Sequence, residues 1–249
     1  MKRKAHERPG AFAELVPNLR TWKLELEATG FGHAGQRRCS MTEAEWLVSE
    51  NPDAMLNALT SPGQRKGILF ACACCHRIAS TLTAFGSQAI AVAERFADGH
   101  ANGEELLAIN PSPPKITLWD YSDRSDSGAA VACAVDGGEA SRRGWKRANQ
   151  WAAMATTNVP AEWRTQANLL RDIFGNPFRP VTFSLSWRTS TAVALASGMY
   201  ESRDFSAMPI LADALQDAGC DHAEVLDHCR GDGPHVRGCW VVDLVLGRE

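Results

Sequence analysis

The sequence of 249 residues has no long hydrophobic run and no strong excess of charge. Its longest uninterrupted apolar stretch, residues 68–75, is far shorter than the roughly 20 residues that span a bilayer. The chain carries 26 Lys and Arg against 29 Asp and Glu, and a net charge of -3 does not favour nucleic acid or an acidic membrane as a partner. Because 45% of the residues are hydrophobic and 22% are charged, the composition is typical of a globular protein without a membrane span.

An export signal and the common catalytic motifs are also missing. The basic residues 2–4 are followed by residues 5–10 without an apolar segment, so we expect no signal peptide. Cys72, Cys74 and Cys75 crowd one short apolar stretch instead of spreading over loops, which predicts reduced thiols in a cytoplasmic protein. The sequence contains no phosphate-binding glycine loop, nucleophile elbow or HExxH motif. We therefore favour a non-catalytic protein over an enzyme.

Residues 1–40 differ in charge from the rest of the chain. They contain eight basic and four acidic side chains, a balance of +4 that leaves -7 for the remainder. This shift predicts a basic, weakly ordered N-terminal extension before a helical domain over residues 41–249, with Met41 as a plausible alternative start. Proline, serine, aspartate and glycine then predict a variable excursion at about 110–138.

Helix start and stop signals recur along the folded domain. Thr42 and Glu45 predict a capping box, while Asn51 and Ser61 each precede a proline suited to a first helical turn. Residues 178–187 alternate like a strand but have no partner strand, which favours a packed loop. The remaining predicted helices cover 62–83, 88–98, 104–109, 139–156, 161–174, 191–200, 208–218, 221–230 and 234–246. We therefore predict an all-α fold, an irregular orthogonal bundle or array of about eight or more helices with little or no β-sheet.

Sulfur and imidazole side chains cluster around position 72 and near the C-terminus. Zinc binds four such ligands tetrahedrally, and one helix can present two of them at i, i+3 or i, i+4 spacing, as for Cys72 with Cys75 or His235 with Cys239. No spacing matches a known zinc motif, and the burial tendency of free cysteine favours thiols that simply fill the core. The candidate zinc ligands are Cys72, Cys75, His228, Cys229, His235 and Cys239.

The sequence also contains residues suited to a nucleophilic triad and to a nucleic-acid surface, and each set has a plainer interpretation. Cys229 could form a nucleophilic triad with His228 or His235 and Asp243, but no signature of a cysteine hydrolase accompanies them. Residues 141–147 form a basic run around Trp145, which could stack on nucleic-acid bases. The small excess of charge favours an ordinary solvated helix face.

Residues 174–180 form the most distinctive predicted loop, with a helix stop, an Asn-Pro turn and two aromatic side chains near an arginine. Such a loop suits a docking surface, although the aromatic rings could instead pack between helices. The candidate binding residues are Phe174, Asn176, Phe178 and Arg179. Our leading hypothesis is a non-catalytic, cytoplasmic interaction or regulatory domain that binds a protein partner here. The alternative is a zinc protein, structural or hydrolytic.

Several blocks of sequence carry a resemblance over residues 41–249. They are 41–47 (MTEAEWL), 69–75 (LFACACC), 91–99 (AVAERFADG), 169–180 (LLRDIFGNPFRP), 209–215 (PILADAL) and the tail 220–247, with HCR at 228–230 and HVRGCWVVD at 235–243. Together they resemble an uncharacterised family of hypothetical proteins that is greatly multiplied in planctomycete bacteria such as the Gemmata group. The resemblance fails over about 112–160. It implies a cytoplasmic bacterial protein and no particular activity.

Overall fold

The computed structural model describes residues 41–109, Val131, Ala134 and residues 142–248. The chain divides into two units, Met1–Arg38 and Cys39–Glu249, and the described residues all belong to the second. They form eleven α-helices and no strand, which confirms the all-α prediction. The predicted extension over residues 1–40 and nearly all of the excursion at about 110–138 lie outside the described residues.

Within residues 41–109 and 142–248 most connections between successive helices are short, and the longest is residues 175–189. Two short 3-10 turns, Ala79–Thr81 and Leu185–Trp187, lie between them. The helices are α1 (Glu43–Val48), α2 (Pro52–Ala58), α3 (Gln64–Arg77), α4 (Ala84–Ala97), α5 (Gly103–Ile109), α6 (Arg142–Met154), α7 (Val159–Phe174), α8 (Ser190–Ser202), α9 (Met208–Asp217), α10 (Ala223–Arg230) and α11 (Trp240–Leu246).

The first two helices begin at the caps that the sequence predicts. The Thr42 hydroxyl accepts a hydrogen bond from the Glu45 amide, and the Glu45 carboxylate accepts one from the Thr42 amide at 2.7 Å. Asn51 caps α2 by accepting from the Ala54 amide at 3.0 Å. Each bond satisfies a backbone donor that the first helical turn leaves without a partner, so these starts are fixed locally.

Two predicted boundaries beside α3 are wrong. The helix begins at Gln64, after Gly63, rather than at Pro62, and it ends at Arg77 instead of continuing to residue 83. Thr83 then caps α4 by accepting from the Gly86 amide at 3.1 Å, so Gly86 lies in the first turn of α4 rather than between two helices. The hydrogen bond from the Gly86 amide to the Thr83 hydroxyl stabilises the start of this helix, and the flexibility of Gly86 does not prevent it.

The described residues form two hydrophobic clusters. In the first, α3 packs against α4, α6 and α7, and its nine residues 67–75 are all buried, as expected for a central helix. In the second, α8 to α11 pack together around Tyr200 and Val242. Helix α11 also contacts α7, so the C-terminal end of α7 lies where the two clusters meet.

The C-terminal segment departs most from its predicted form. Helix α10 starts at Ala223 rather than at the predicted residue 221, and its N-cap residue, His222, makes no side-chain capping bond. The last helix starts at Trp240 rather than at Pro234, because residues 231–239 form a loop. This loop and the two helices that flank it carry most of the candidate site.

Candidate metal centre

Four side chains from three helices and a loop converge where α7, α10 and α11 meet. Asp172 lies in the last turn of α7 and His228 in the last turn of α10. His235 lies in the loop of residues 231–239, and Cys239 is the N-cap of α11. One ligand atom from each of the four lies within 4.8 Å of the others. We call these residues the DHHC cluster.

The distances within the DHHC cluster are short. The Nε2 atom of His228 lies 3.2 Å from the Cys239 Sγ and 3.2 Å from the Asp172 Oδ1. The Nδ1 atom of His235 lies 2.9 Å from the same Asp172 oxygen. A tetrahedral zinc ion with bonds of about 2.0–2.3 Å holds its ligand atoms about 3.3–3.8 Å apart. Shifts of a few tenths of an ångström at these three contacts would therefore admit an ion.

The second polar atoms of Asp172 and His235 are already bound to backbone groups. The Val236 amide donates to the Asp172 Oδ2 at 2.9 Å, which leaves Oδ1 directed at the cluster. The Nε2 atom of His235 lies 3.4 Å from the Gly231 carbonyl oxygen, so a proton on Nε2 leaves the lone pair of Nδ1 for a metal. Metal-binding histidines and carboxylates are commonly oriented by such bonds.

Aromatic packing holds His228 in place. Its ring lies 4.9 Å from the His235 ring at an angle of 75° and 5.1 Å from the Trp240 ring. Trp240 in turn packs over Gly175, where an added Cβ would lie 3.2 Å from the indole. Gly175 has a φ of 63° as the residue that ends α7, so glycine suits both the backbone and the approach of the indole.

Burial and neighbouring charges shift the pKa values of the cluster in opposite directions. Burial favours the neutral form of Asp172, but hydrogen bonds from the two imidazoles outweigh it and lower the pKa of the carboxyl. Burial likewise opposes the charged form of His235, and the Asp172 carboxylate reverses that effect and raises the pKa of the imidazole. Burial and the nearby carboxylate raise the pKa of the Cys239 thiol well above its ordinary value. A bound divalent cation would reverse this last effect, because a coordinating thiol loses its proton.

The structure brings together only part of the predicted zinc-ligand set. His228, His235 and Cys239 lie in the DHHC cluster, whereas Cys72 and Cys75 lie fully buried among the apolar side chains of the first hydrophobic cluster. His235 and Cys239 meet through a loop and a helix cap, so their predicted pairing on one helix is wrong. The fourth member of the cluster, Asp172, comes from the distant helix α7 rather than from a residue near the other three in sequence.

Cys229 also lies outside the cluster. It is buried in the second hydrophobic cluster, and burial raises the pKa of its thiol to about 12. This thiol is poorly suited to act as a nucleophile at neutral pH. Asp243, the carboxylate weighed for a triad with it, instead accepts two hydrogen bonds from Arg65 at 2.6 and 3.0 Å.

Asp172 is the member of the DHHC cluster that the sequence analysis missed. It lies on the apolar face of α7, three residues after Leu169 and one before Ile173, and both neighbours are buried. A buried carboxylate is costly unless it is paired or bound to a cation. An acidic residue at the spacing of the apolar residues Leu169 and Ile173 was therefore the available signal.

The predicted binding loop lies close to the cluster and is held against α1. Asn176 donates a hydrogen bond to Glu43 at 2.8 Å, and Arg179 forms an ion pair with the same carboxylate at 2.7 Å. Phe178 meets the Trp46 ring edge-on, with 6.5 Å between the ring centroids. The side chain of Arg179 is 65% exposed, and Phe178 is 39% exposed, so both present surface to solvent.

A cleft of about 810 Å³ opens beside this loop. Phe174, Asn176 and Arg179 line it, and so does His228 of the DHHC cluster. Lys66, in the first turn of α3, also faces this cleft, and burial lowers the pKa of its amino group.

The predicted basic run of residues 141–147 offers no stacking surface at its tryptophan. Trp145 is buried against α3, where the ring lies over Gly67. It therefore serves the packing of α6 rather than the binding of a base.

Comparisons with known proteins do not identify the chain. No protein-family model, curated protein or solved structure matches it. The resemblance to the planctomycete family remains a prediction, since none of these comparisons bears on it. Within the described residues, no helix combines the length and the apolar character needed to cross a bilayer.

Proposed function

We propose that this protein binds one zinc ion through Asp172, His228, His235 and Cys239. The observation that carries the proposal is the convergence of one oxygen, two nitrogen and one sulfur ligand atom within 4.8 Å. Imidazole and thiolate are the ligands that zinc prefers in proteins, and a carboxylate oxygen completes such sites. The backbone hydrogen bonds to Asp172 and His235 orient both groups before any ion arrives.

The geometry supports a structural zinc site rather than a hydrolytic one. Four protein ligands complete a tetrahedron, whereas catalytic zinc typically has three and leaves one position for water. The four side chains are also shielded from solvent. The exposed fractions are 2% for Asp172, 18% for His228, 9% for His235 and zero for Cys239.

The proposed ion would join the two hydrophobic clusters. Asp172 belongs to α7, whose apolar face lies in the first cluster, while Cys239 is itself part of the second. The loop of residues 231–239, which supplies His235, has no helix of its own. Metal ligands that come from separate segments stabilise the folded chain, because an unfolded chain offers no preformed site.

Zinc titration of chelator-treated protein tests this function. We expect isothermal titration calorimetry to show one ion per chain and the melting temperature to rise on binding. His235→Ala should weaken binding by roughly a hundredfold because one of four ligands is lost, whereas His100→Ala, at an exposed histidine outside the cluster, should not. Zinc binding that is absent, or that survives unchanged in His235→Ala, would contradict the proposal.

A second candidate function is a docking domain for a protein partner, supported by the surface that residues 174–180 present. Phe178 projects an aromatic ring, and Arg179 extends beside it from a loop that hydrogen bonds hold to α1. A large apolar ring and an arginine on a fixed loop are typical of residues that dominate protein interfaces. Zinc binding and docking are compatible, because the loop follows directly from the helix that carries Asp172.

A further inference from the structure

Lys66 brings a positive charge into the cleft beside the DHHC cluster. Its side chain is half-buried, and its amino group has no hydrogen-bond or ion-pair partner among the described residues. Asp243, a carboxylate that lines the same cleft, already accepts two hydrogen bonds from the Arg65 guanidinium. A half-buried ammonium group without a bound carboxylate is a cost that an anionic ligand would offset.

The walls of the cleft are largely apolar. The aromatic side chains of Phe174 and Trp240, both partly exposed, line it together with the aliphatic side chains of Val181 and Leu244. Its volume of about 810 Å³ lies in the range of pockets that hold small molecules. Such walls favour a ligand whose body is apolar and flat, because stacking on rings adds to the burial of apolar surface.

The charges at the rim limit how much negative charge a ligand can carry. Glu43, Glu224 and Asp227 line the same cleft, and Arg179 pairs with the first at 2.7 Å and lies 3.9 Å from the second. These carboxylates would repel a polyanion such as a nucleic acid. A single negative group that reaches Lys66 avoids most of that repulsion.

We propose that the cleft binds a small organic anion with an apolar aromatic body, whose single carboxylate or sulfonate group pairs with Lys66. Arg248 also lines the cleft, but its guanidinium lies 3.5 Å from the Asp98 carboxylate and over the Tyr200 ring, so Lys66 is the cation that the inference uses. The contact between the ligand and Lys66 requires no metal, so a failure of the zinc proposal would not affect this inference.

Fluorescence titration with 8-anilinonaphthalene-1-sulfonate tests the inference on the full chain as purified. This probe combines an aromatic body with one sulfonate, and N-phenyl-1-naphthylamine supplies a similar body without the charge. We expect saturable binding of the sulfonate at one site and at least about tenfold weaker binding to Lys66→Met, since a hydrogen bond to a charged group is lost. The uncharged probe should bind the wild type and Lys66→Met alike.

Two controls separate the charge of Lys66 from general effects. Lys66→Arg keeps the cation and should bind the sulfonate within about threefold of the wild type, while Lys146→Met removes a lysine that does not line the cleft and should leave binding unchanged. If Lys66→Met does not fold, the two probes on the wild type decide, with the sulfonate expected to bind at least about tenfold tighter. Equal binding of the two probes, or sulfonate binding unaffected by Lys66→Met, overturns the inference.

Discussion

The Nδ1 atom of His235 lies 2.9 Å from the Oδ1 atom of Asp172, although 63 residues separate them in the chain. The other oxygen of Asp172 accepts a hydrogen bond from the Val236 amide, so one carboxylate holds two successive residues of the loop. The loop is thereby fixed to α7, with the thiol of Cys239 and the imidazole of His228 beside it.

Replacing Cys239 should affect metal binding in a way that replacing another buried cysteine does not. We expect Cys239→Ala to lose bound zinc, because only three ligands would remain. Cys72→Ala should keep the zinc and lower the free energy of unfolding by about 1 kcal/mol, as for a small cavity in a packed core. Elemental analysis and denaturant unfolding of both variants would measure this difference. Equal zinc content in the two variants would contradict the assignment of Cys239.

Replacing Phe178 and Arg179 together should change binding more than stability. Both are exposed, and the ion pair of Arg179 with Glu43 lies at the surface, so the double alanine variant should lose at most about 1.5 kcal/mol of stability. A protein partner captured by the wild type in a pull-down should be lost from this variant but retained by Leu185→Ala, which removes an exposed leucine elsewhere. A collapse of thermal stability would instead assign the two residues to the core.

Two glycines within helices should respond oppositely to alanine. An added Cβ at Gly67 would lie 2.0 Å from the Trp145 ring, so Gly67→Ala should push α6 away from α3 and cost about 3 kcal/mol. At Gly198 in α8 no atom lies within 4 Å of such a Cβ, and Gly198→Ala should stabilise the fold by about 0.5–1 kcal/mol. Urea unfolding measures both changes. Equal effects of the two substitutions would show that the contact of α3 with α6 is not close.

The buried carboxylate of Glu94 should make stability depend on acid. Burial opposes its ionisation, but Arg203 and His76 outweigh that and lower the pKa of Glu94 from 4.5 to about 2. Arg237 also lies 3.5 Å from this carboxylate. Because the folded-state pKa is the lower one, ionised Glu94 stabilises the fold above about pH 4.5. That stabilisation falls progressively as the pH drops towards about 2.

Comparison with Glu94→Gln isolates this contribution. We expect the wild type to be more stable than the variant by roughly 2–3 kcal/mol at neutral pH, with the difference shrinking towards zero near pH 2. Denaturant unfolding of both proteins at a series of pH values measures the difference. A gap between them that does not vary with pH would contradict the role given to Glu94.

Local signals in the sequence predicted much of the fold. Thr42 and Asn51 cap their helices as expected. Each side chain accepts a hydrogen bond from a backbone amide three residues later, so the cap depends on local sequence alone. The start of the last helix, predicted at Pro234 and found at Trp240, was decided by distant contacts. Gly238, inside the predicted helix, has a φ of 91° and lies against Leu69 and Ile173, and no local pattern contains those contacts.

The candidate site was only partly predictable for the same reason. Residue chemistry singled out His228, His235 and Cys239, since imidazole and thiol groups are the usual zinc ligands. It also singled out Cys72 and Cys75, whose i, i+3 spacing looks identical whether the thiols bind metal or fill the core. Spacing within one segment could not reveal the fourth ligand, Asp172, because α7 meets the C-terminal loop only in the folded chain.

X-ray absorption at the zinc edge of the purified, zinc-loaded protein tests the central claim most directly. The account predicts one zinc ion per chain with one sulfur ligand at about 2.3 Å, from Cys239, and three nitrogen or oxygen ligands at about 2.0–2.2 Å. A protein that holds no zinc, or a spectrum with two or more sulfur ligands, would contradict it.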